Sequence, residues 1–142
     1  MPLKIIDHGS KEYEKMIDLR RQILRRPLGL DFTQEDLEKE KEDIHIAAYE
    51  DDQMLGCCML TQESPGKVRL RQMAVKPGLQ NKGIGKVLMQ FAENIARDGG
   101  NKIMTMHARK TATGFYEKQG YAIKGGEFEE VTIPHYLMEK EL

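Results

Sequence analysis

The chain runs from the apolar, alternating segment Val68 to Val75 through Pro77 and the glycine-spaced stretch Gln80-Asn81-Lys82-Gly83-Ile84-Gly85-Lys86 into a periodic helix pattern. Ile84, Val87, Leu88, Phe91, Ala92 and Ile95 recur at helical spacing, and Gly99-Gly100 supplies the stop. A strand that empties through glycines into a helix admits few architectures. It also builds an anion site, because glycine lets backbone approach a ligand and the unpaired N–H groups of a first helical turn point at it with the helix dipole behind them. Phosphate is the natural guest.

The flanking sequence places this junction in an α/β (α+β) chain. Leu3 to Ile6 predicts a strand, and Ser10 caps a helix carrying Tyr13, Met16, Ile17, Arg20, Ile23 and Leu24 on one face until Pro27 and Gly29 end it. Thr33 with Asp36 predicts a capping box opening a charged second helix that runs to about Asp43 with a solvated face. His45 to Tyr49 and Met54 to Gln62 flank Glu50-Asp51-Asp52-Gln53 as a β-hairpin, and Pro65-Gly66 turns the chain into Val68 to Val75. After the glycine helix come a strand at Ile103 to Ala108, a short helix at Thr111 to Gln119, a strand at Tyr121 to Lys124 and a last strand at His135 to Lys140. The expectation is one domain over residues 1–142, with a mixed, mostly antiparallel twisted sheet flanked by about four helices.

Composition removes several classes of function. A formal net charge of -1 offers no overall field toward nucleic acid or an anionic membrane. The start lacks the pattern of a signal peptide and no apolar run reaches spanning length, so a cytoplasmic location is expected. Cys57 and Cys58 are adjacent in an apolar run and would face opposite sides of a strand, which predicts packed free thiols. His8, His45 and His107 show no ligand spacing with them or with one another, so no metal is expected.

Three phosphate sites compete for the glycine stretch. A Walker A loop has Gly78 and Gly83 in place but would need Lys where Ile84 stands. A dinucleotide fingerprint finds only Gly83 and Gly85. A pyrophosphate cradle of the coenzyme A kind, with Gln or Arg, two residues, Gly, one residue and Gly or Ala, is met by Gln80, Gly83 and Gly85. A plain glycine-rich turn remains the bland alternative.

Met73-Ala74-Val75-Lys76-Pro77, the cradle, and the later Ala112-Thr113-Gly114-Phe115-Tyr116-Glu117-Lys118-Gln119-Gly120-Tyr121 together resemble the GNAT superfamily of acetyl-CoA-dependent N-acetyltransferases. Ile133-Pro134-His135 and Leu19-Arg20 are similar to its ElaA-like bacterial branch. The resemblance implies acetyl transfer from acetyl-CoA to a primary amine, small or on a protein, by direct attack. It implies that Met73, Ala74 and Val75 meet the pantetheine arm and thioester. Gln80, Asn81, Lys82, Gly83, Ile84, Gly85 and Lys86 would then hold the pyrophosphate, with Tyr116 as general acid toward the leaving thiolate. Without it, Tyr116 reads as a core aromatic. Family members often form homodimers.

The pattern is broken in two places. Arg109 stands where relatives carry an Asn for the pantetheine arm, and Val68-Arg69-Leu70-Arg71-Gln72 lacks the Glu that often serves as base. The amine's proton would leave through water or to His135, whose ordinary pKa suits neutral pH although a lone His in a last strand is usually structural. A catalytically weak acyl-CoA binding or sensing module is the alternative. Arg20, Arg21, Arg25 and Arg26 form a basic cluster expected mainly at the surface. In the family that helix borders the substrate cleft.

Overall fold

Alternation along the middle of the chain produces the expected antiparallel meander. The computed structural model describes residues 2–142, and in it β1 (Leu3–Ile6), β2 (Ile44–Glu50), β3 (Gln53–Ser64) and β4 (Lys67–Val75) pair in order, each antiparallel to the last. β5 (Ile103–Arg109) then lies parallel to β4, and β8 (Ile133–Glu141) runs antiparallel beside it. β8 also pairs with the short β6 (Ala122–Ile123) and β7 (Phe128–Glu130), completing eight strands with one parallel contact. A parallel pair needs a crossover, and α3 (Ile84–Asp98) provides it.

Helices cover both faces. α1 (Lys11–Arg20), capped by Ser10, packs Tyr13, Met16 and Ile17 against Ala47, Cys57 and Ala74 on one side. α3 and α4 (Thr113–Lys118) cover the other with Leu88, Met89, Ala92 and Tyr116 against Ile46, Cys58, Leu70 and Met106. The adjacent cysteines do divide between the faces, both buried and unpaired.

Three expectations need correction. The Thr33–Asp36 capping box forms, but α2 (Gln34–Glu38) stops well before Asp43 and its flank is not wholly solvated. The cause is Glu40, which turns inward and binds Arg20 through both oxygens, at 2.8 and 2.6 Å, while also accepting from the Tyr13 hydroxyl at 2.9 Å. Arg20 is therefore a core residue, only 1% exposed, and not part of a surface cluster. The first helix continues past Arg20 as a π-helical turn over Arg21–Arg25 and a 3-10 turn over Arg26–Leu28, with Gly29 closing it. The last strand begins at Ile133, because a hairpin with β7 precedes His135.

Candidate active site

The site is built on a fault in the sheet. Parallel pairing of β4 with β5 covers only Lys67 to Leu70 against Ile103 to Met106. Beyond it, β4 follows β3 alone, and the two strands part. Against Cys58 of β3 stand two residues, Gln72 and Met73, and Gln72 takes the left-handed conformation with φ 56°. Such a bulge bends its strand and re-aims side chains. The opening leads into a cavity of about 380 Å³ whose lining comes from both faces of the sheet, Leu24 and Arg25 from the α1 side and Tyr116 from the other.

β4 then runs into the glycine loop. Gln80 braces it from within, its Oε1 accepting from the Gly78 N–H at 3.0 Å and its Nε2 donating to the Val75 carbonyl at 3.0 Å. Its side chain is thus spent on loop shape, and one Val75 carbonyl with it. Asn81 and Gly83 take left-handed φ of 66° and 82°, a backbone turn that gathers successive amides into a concavity. Gly83 caps α3 without any side-chain acceptor, and the first intrahelical bond is Val87 N–H to Gly83 O. Among the described residues, no acceptor serves the N–H groups of residues 80–86. Lys82 and Lys86 make no ion pair there either. A Cβ at Gly85 would stand 3.1 Å from Cζ of Phe115, so this glycine keeps the start of α3 against α4. These features fit a bound pyrophosphate: unspent donors, nearby ammonium groups and a backbone free to approach.

Met73, Tyr116 and His135 line the cavity, whereas Ala74 is buried beneath α1. The Tyr116 ring comes from the α4 side and reaches the cavity through the gap between β4 and β5. Burial drives its pKa well above the ordinary tyrosine value, Cys58 adds to the rise, and the charge of Arg109 works against it. The hydroxyl therefore stays protonated at neutral pH. Arg109 does not take the place of a side-chain amide along the opening; its Nη2 reaches the π-helical end of α1 and donates to the Leu24 carbonyl at 2.9 Å.

His135 is oriented by its backbone. Nδ1 lies 2.9 Å from the Ile133 carbonyl, which can only accept, so Nδ1 carries a proton and Nε2 of the neutral ring is left with its lone pair free. That Nε2 lies 3.7 Å from Oε2 of Glu130, whose Oε1 is 2.9 Å from Nδ1 of His107. Nη2 of Arg69 donates to Nε2 of His107 at 2.9 Å, which makes Nδ1 of His107 the donor to Glu130. Glu130 and His107 were missed as site residues. Glu130 sits on β7, and the turn that creates β7, Val131 and Thr132 at φ 45° and 69°, uses β-branched residues where Asn and Gly are expected. The one signal in the sequence was the acidic run beside His135. Among the described residues no group of three His, Cys, Asp or Glu suits a metal ion, and no helix is long and apolar enough to cross a membrane.

A mixed sheet split at its single parallel pair among the described residues, with a glycine loop of unpaired amides at the end of one strand and a polar cavity beside the other, is the frame of an acyl-transfer class of α/β protein. The chain belongs to the GNAT acetyltransferases: the family described as an acetyltransferase (GNAT) domain matches residues 26–142. Its relatives include YyaT of Bacillus subtilis, 32% identical over 98 residues, which are 69% of this chain and 66% of that protein. The chain thus spans just under two thirds of YyaT. The N-acetyltransferase YjcF of the same organism is 25% identical over 138 residues, 96% of this chain and 98% of YjcF. Escherichia coli ElaA shares the fold with a TM-score of 0.81 at 17% identity, covering 99% of each chain. A GNAT acetyltransferase from Elizabethkingia anophelis, solved with acetyl-CoA bound, has a TM-score of 0.77 at 19% identity, covering 99% of this chain and 97% of its own.

Proposed function

We propose that residues 1–142 act as one N-acetyltransferase domain that moves an acetyl group from acetyl-CoA to a primary amine. One observation carries the reading: the unspent amides of Gln80 to Lys86 lie at the foot of the β4–β5 opening, and Tyr116 and His135 line the cavity at its head. The solved relative with acetyl-CoA supports the choice of donor. Acetyl-CoA supplies the thioester.

The amides of residues 80–86 hold the pyrophosphate with Lys82 and Lys86 beside it, and the edge of β4 at Met73 and Ala74, which β5 leaves uncovered, guides the arm inward toward Val75. The amine nitrogen attacks the thioester carbonyl carbon and the carbon–sulfur bond breaks. Tyr116 gives its phenolic proton to the departing sulfur. Burial makes that donation uphill, and the Arg109 charge offsets part of the cost by favouring the phenolate. Nε2 of His135, steadied by Glu130, takes the proton lost by the amine. Two buried, unpaired thiols suit a reducing cytoplasm.

CoA release across a panel of amines, with mass identification of the product, tests the assignment. Tyr116→Phe is expected to lower kcat by about a hundredfold or more while CoA affinity holds, and His135→Ala to lower kcat/KM well beyond any loss of stability. Full turnover in Tyr116→Phe removes it as the acid. CoA binding with no thiol release for any amine favours the sensing module instead.

A further inference from the structure

The cavity has a charge imbalance that acetyl transfer alone does not explain. Arg25, Arg69, Arg71 and Arg109 all line it, against the single carboxylate of Glu130. Two of the four are provided for: Arg69 pairs with Glu63 at 3.0 Å, and Arg71 has Asp43 at 4.0 Å and the Thr61 hydroxyl at 3.3 Å. The other two are not. Among the described residues neither Arg25 nor Arg109 has a carboxylate partner, and both guanidinium groups donate to the same Leu24 carbonyl, at 3.1 and 2.9 Å. Arg25 also lies over the Phe32 ring at 4.6 Å from its centroid, which fixes its plane.

Two half-buried cations converging on one carbonyl repel each other, and burial alone already works against the charge of each. A fold can hold such a pair cheaply only if something negative is there during function. The π-helical turn over Arg21–Arg25 is what brings Leu24 and Arg25 over the cavity. Glu130, and less so Asp36, lends Arg25 some favourable charge, but Glu130 pairs with neither arginine: its Oε1 is engaged by His107 and its Oε2 faces His135.

We propose that the acetyl acceptor is a small amine bearing an acidic group, an amino acid or a close analogue, whose carboxylate lodges between Arg25 and Arg109 while its amine faces His135 and Glu130. This rests on the acetyltransferase reading for the amine but not for the acid site. A cavity of about 380 Å³ holds a molecule of that size. Planar guanidinium groups suit a carboxylate, and a phosphate monoester shares the chemistry.

The test compares each standard amino acid with its α-carboxamide, and phosphoethanolamine with ethanolamine, by CoA release. Alongside it, binding of the N-acetyl acids and N-acetyl amides is measured by calorimetry on the protein with and without CoA. An acid preferred over its amide by about tenfold or more, with the preference collapsing toward one in Arg25→Gln and partly kept in Arg25→Lys, is the expected result. The same pattern confined to phosphoethanolamine also supports the arginine site and assigns its anion as phosphate. Equal use of acids and amides, or a preference untouched by Arg25→Gln, overturns the proposal. If no amine is acetylated, the acetyltransferase reading falls and binding decides the acid site: N-acetyl acids held tighter than the amides, and released by Arg25→Gln, support it. Equal or absent binding of both overturns it.

Discussion

Glu40 shows how much one carboxylate can organise. It joins α1 to the segment after α2 through Arg20 and Tyr13, and its backbone carbonyl lies 3.0 Å from Nε2 of His45 on β2. Burial raises its pKa, but the hydrogen bonds and charge of Arg20 and the Tyr13 hydroxyl outweigh that and hold it below the usual carboxylate value. Replacing one partner strands the other in the core. Glu40→Gln is therefore expected to cost about 3–5 kcal/mol, read from the midpoint of urea unfolding, whereas an Arg20→Met/Glu40→Leu double replacement should recover much of the loss. A double variant as unstable as the single one would mean that the pair adds net stability. At the same scale, Arg109 illustrates a residue whose position was legible and whose direction was not. Its place before Tyr116 could be counted along the chain, but the Leu24 carbonyl that receives it lies 85 residues away.

Among the elements, α3 and its glycine loop were readable because period, glycine spacing and stop signal are all local. The β7–β8 hairpin was not. Its two-residue turn places Val131 and Thr132 in left-handed backbone, a cost of order 1–3 kcal/mol each, and no propensity argument anticipates it. The strained turn sets Glu130 opposite Ile133 and beside the two histidines. Substituting Asn at 131 and Gly at 132 is expected to stabilise the protein by about 1 kcal/mol or more, seen as a rise in Tm. No gain would show that tertiary packing of Val131 in the cavity wall compensates the strain. The end of α2 was illegible for a different reason, since the pull on Glu40 comes from a helix already past.

For the whole molecule, acid is the expected weakness. His45 is buried and its pKa lies below the ordinary 6.5, chiefly through desolvation, although its contact with the Glu40 carbonyl and that residue's charge work the other way. A folded pKa below the unfolded one means stability present above pH 6.5 and lost as pH falls through the lower value. Glu40 adds a second loss starting at its ordinary 4.5, while Asp43, raised by burial, relieves a little near its own 3.8. Thermal melts should hold steady from about pH 7 up to the ordinary cysteine value of 9.0, above which the buried thiols cost stability, and decline below about pH 7, and His45→Gln should flatten that first acid-side decline while leaving the second. An unchanged first decline would mean that another group carries it. The halves of the sheet meet along four register pairs between β4 and β5, and beyond Leu70 the two strands part. Cys57 and Cys58 sit just to one side of that line. Burial pushes the Cys57 thiol up to about 12 and Cys58 higher still, so neither is a nucleophile in the folded state. A chromogenic disulfide added to a running reaction therefore meets a silent enzyme, and every equivalent of colour belongs to liberated coenzyme until the fold itself gives way.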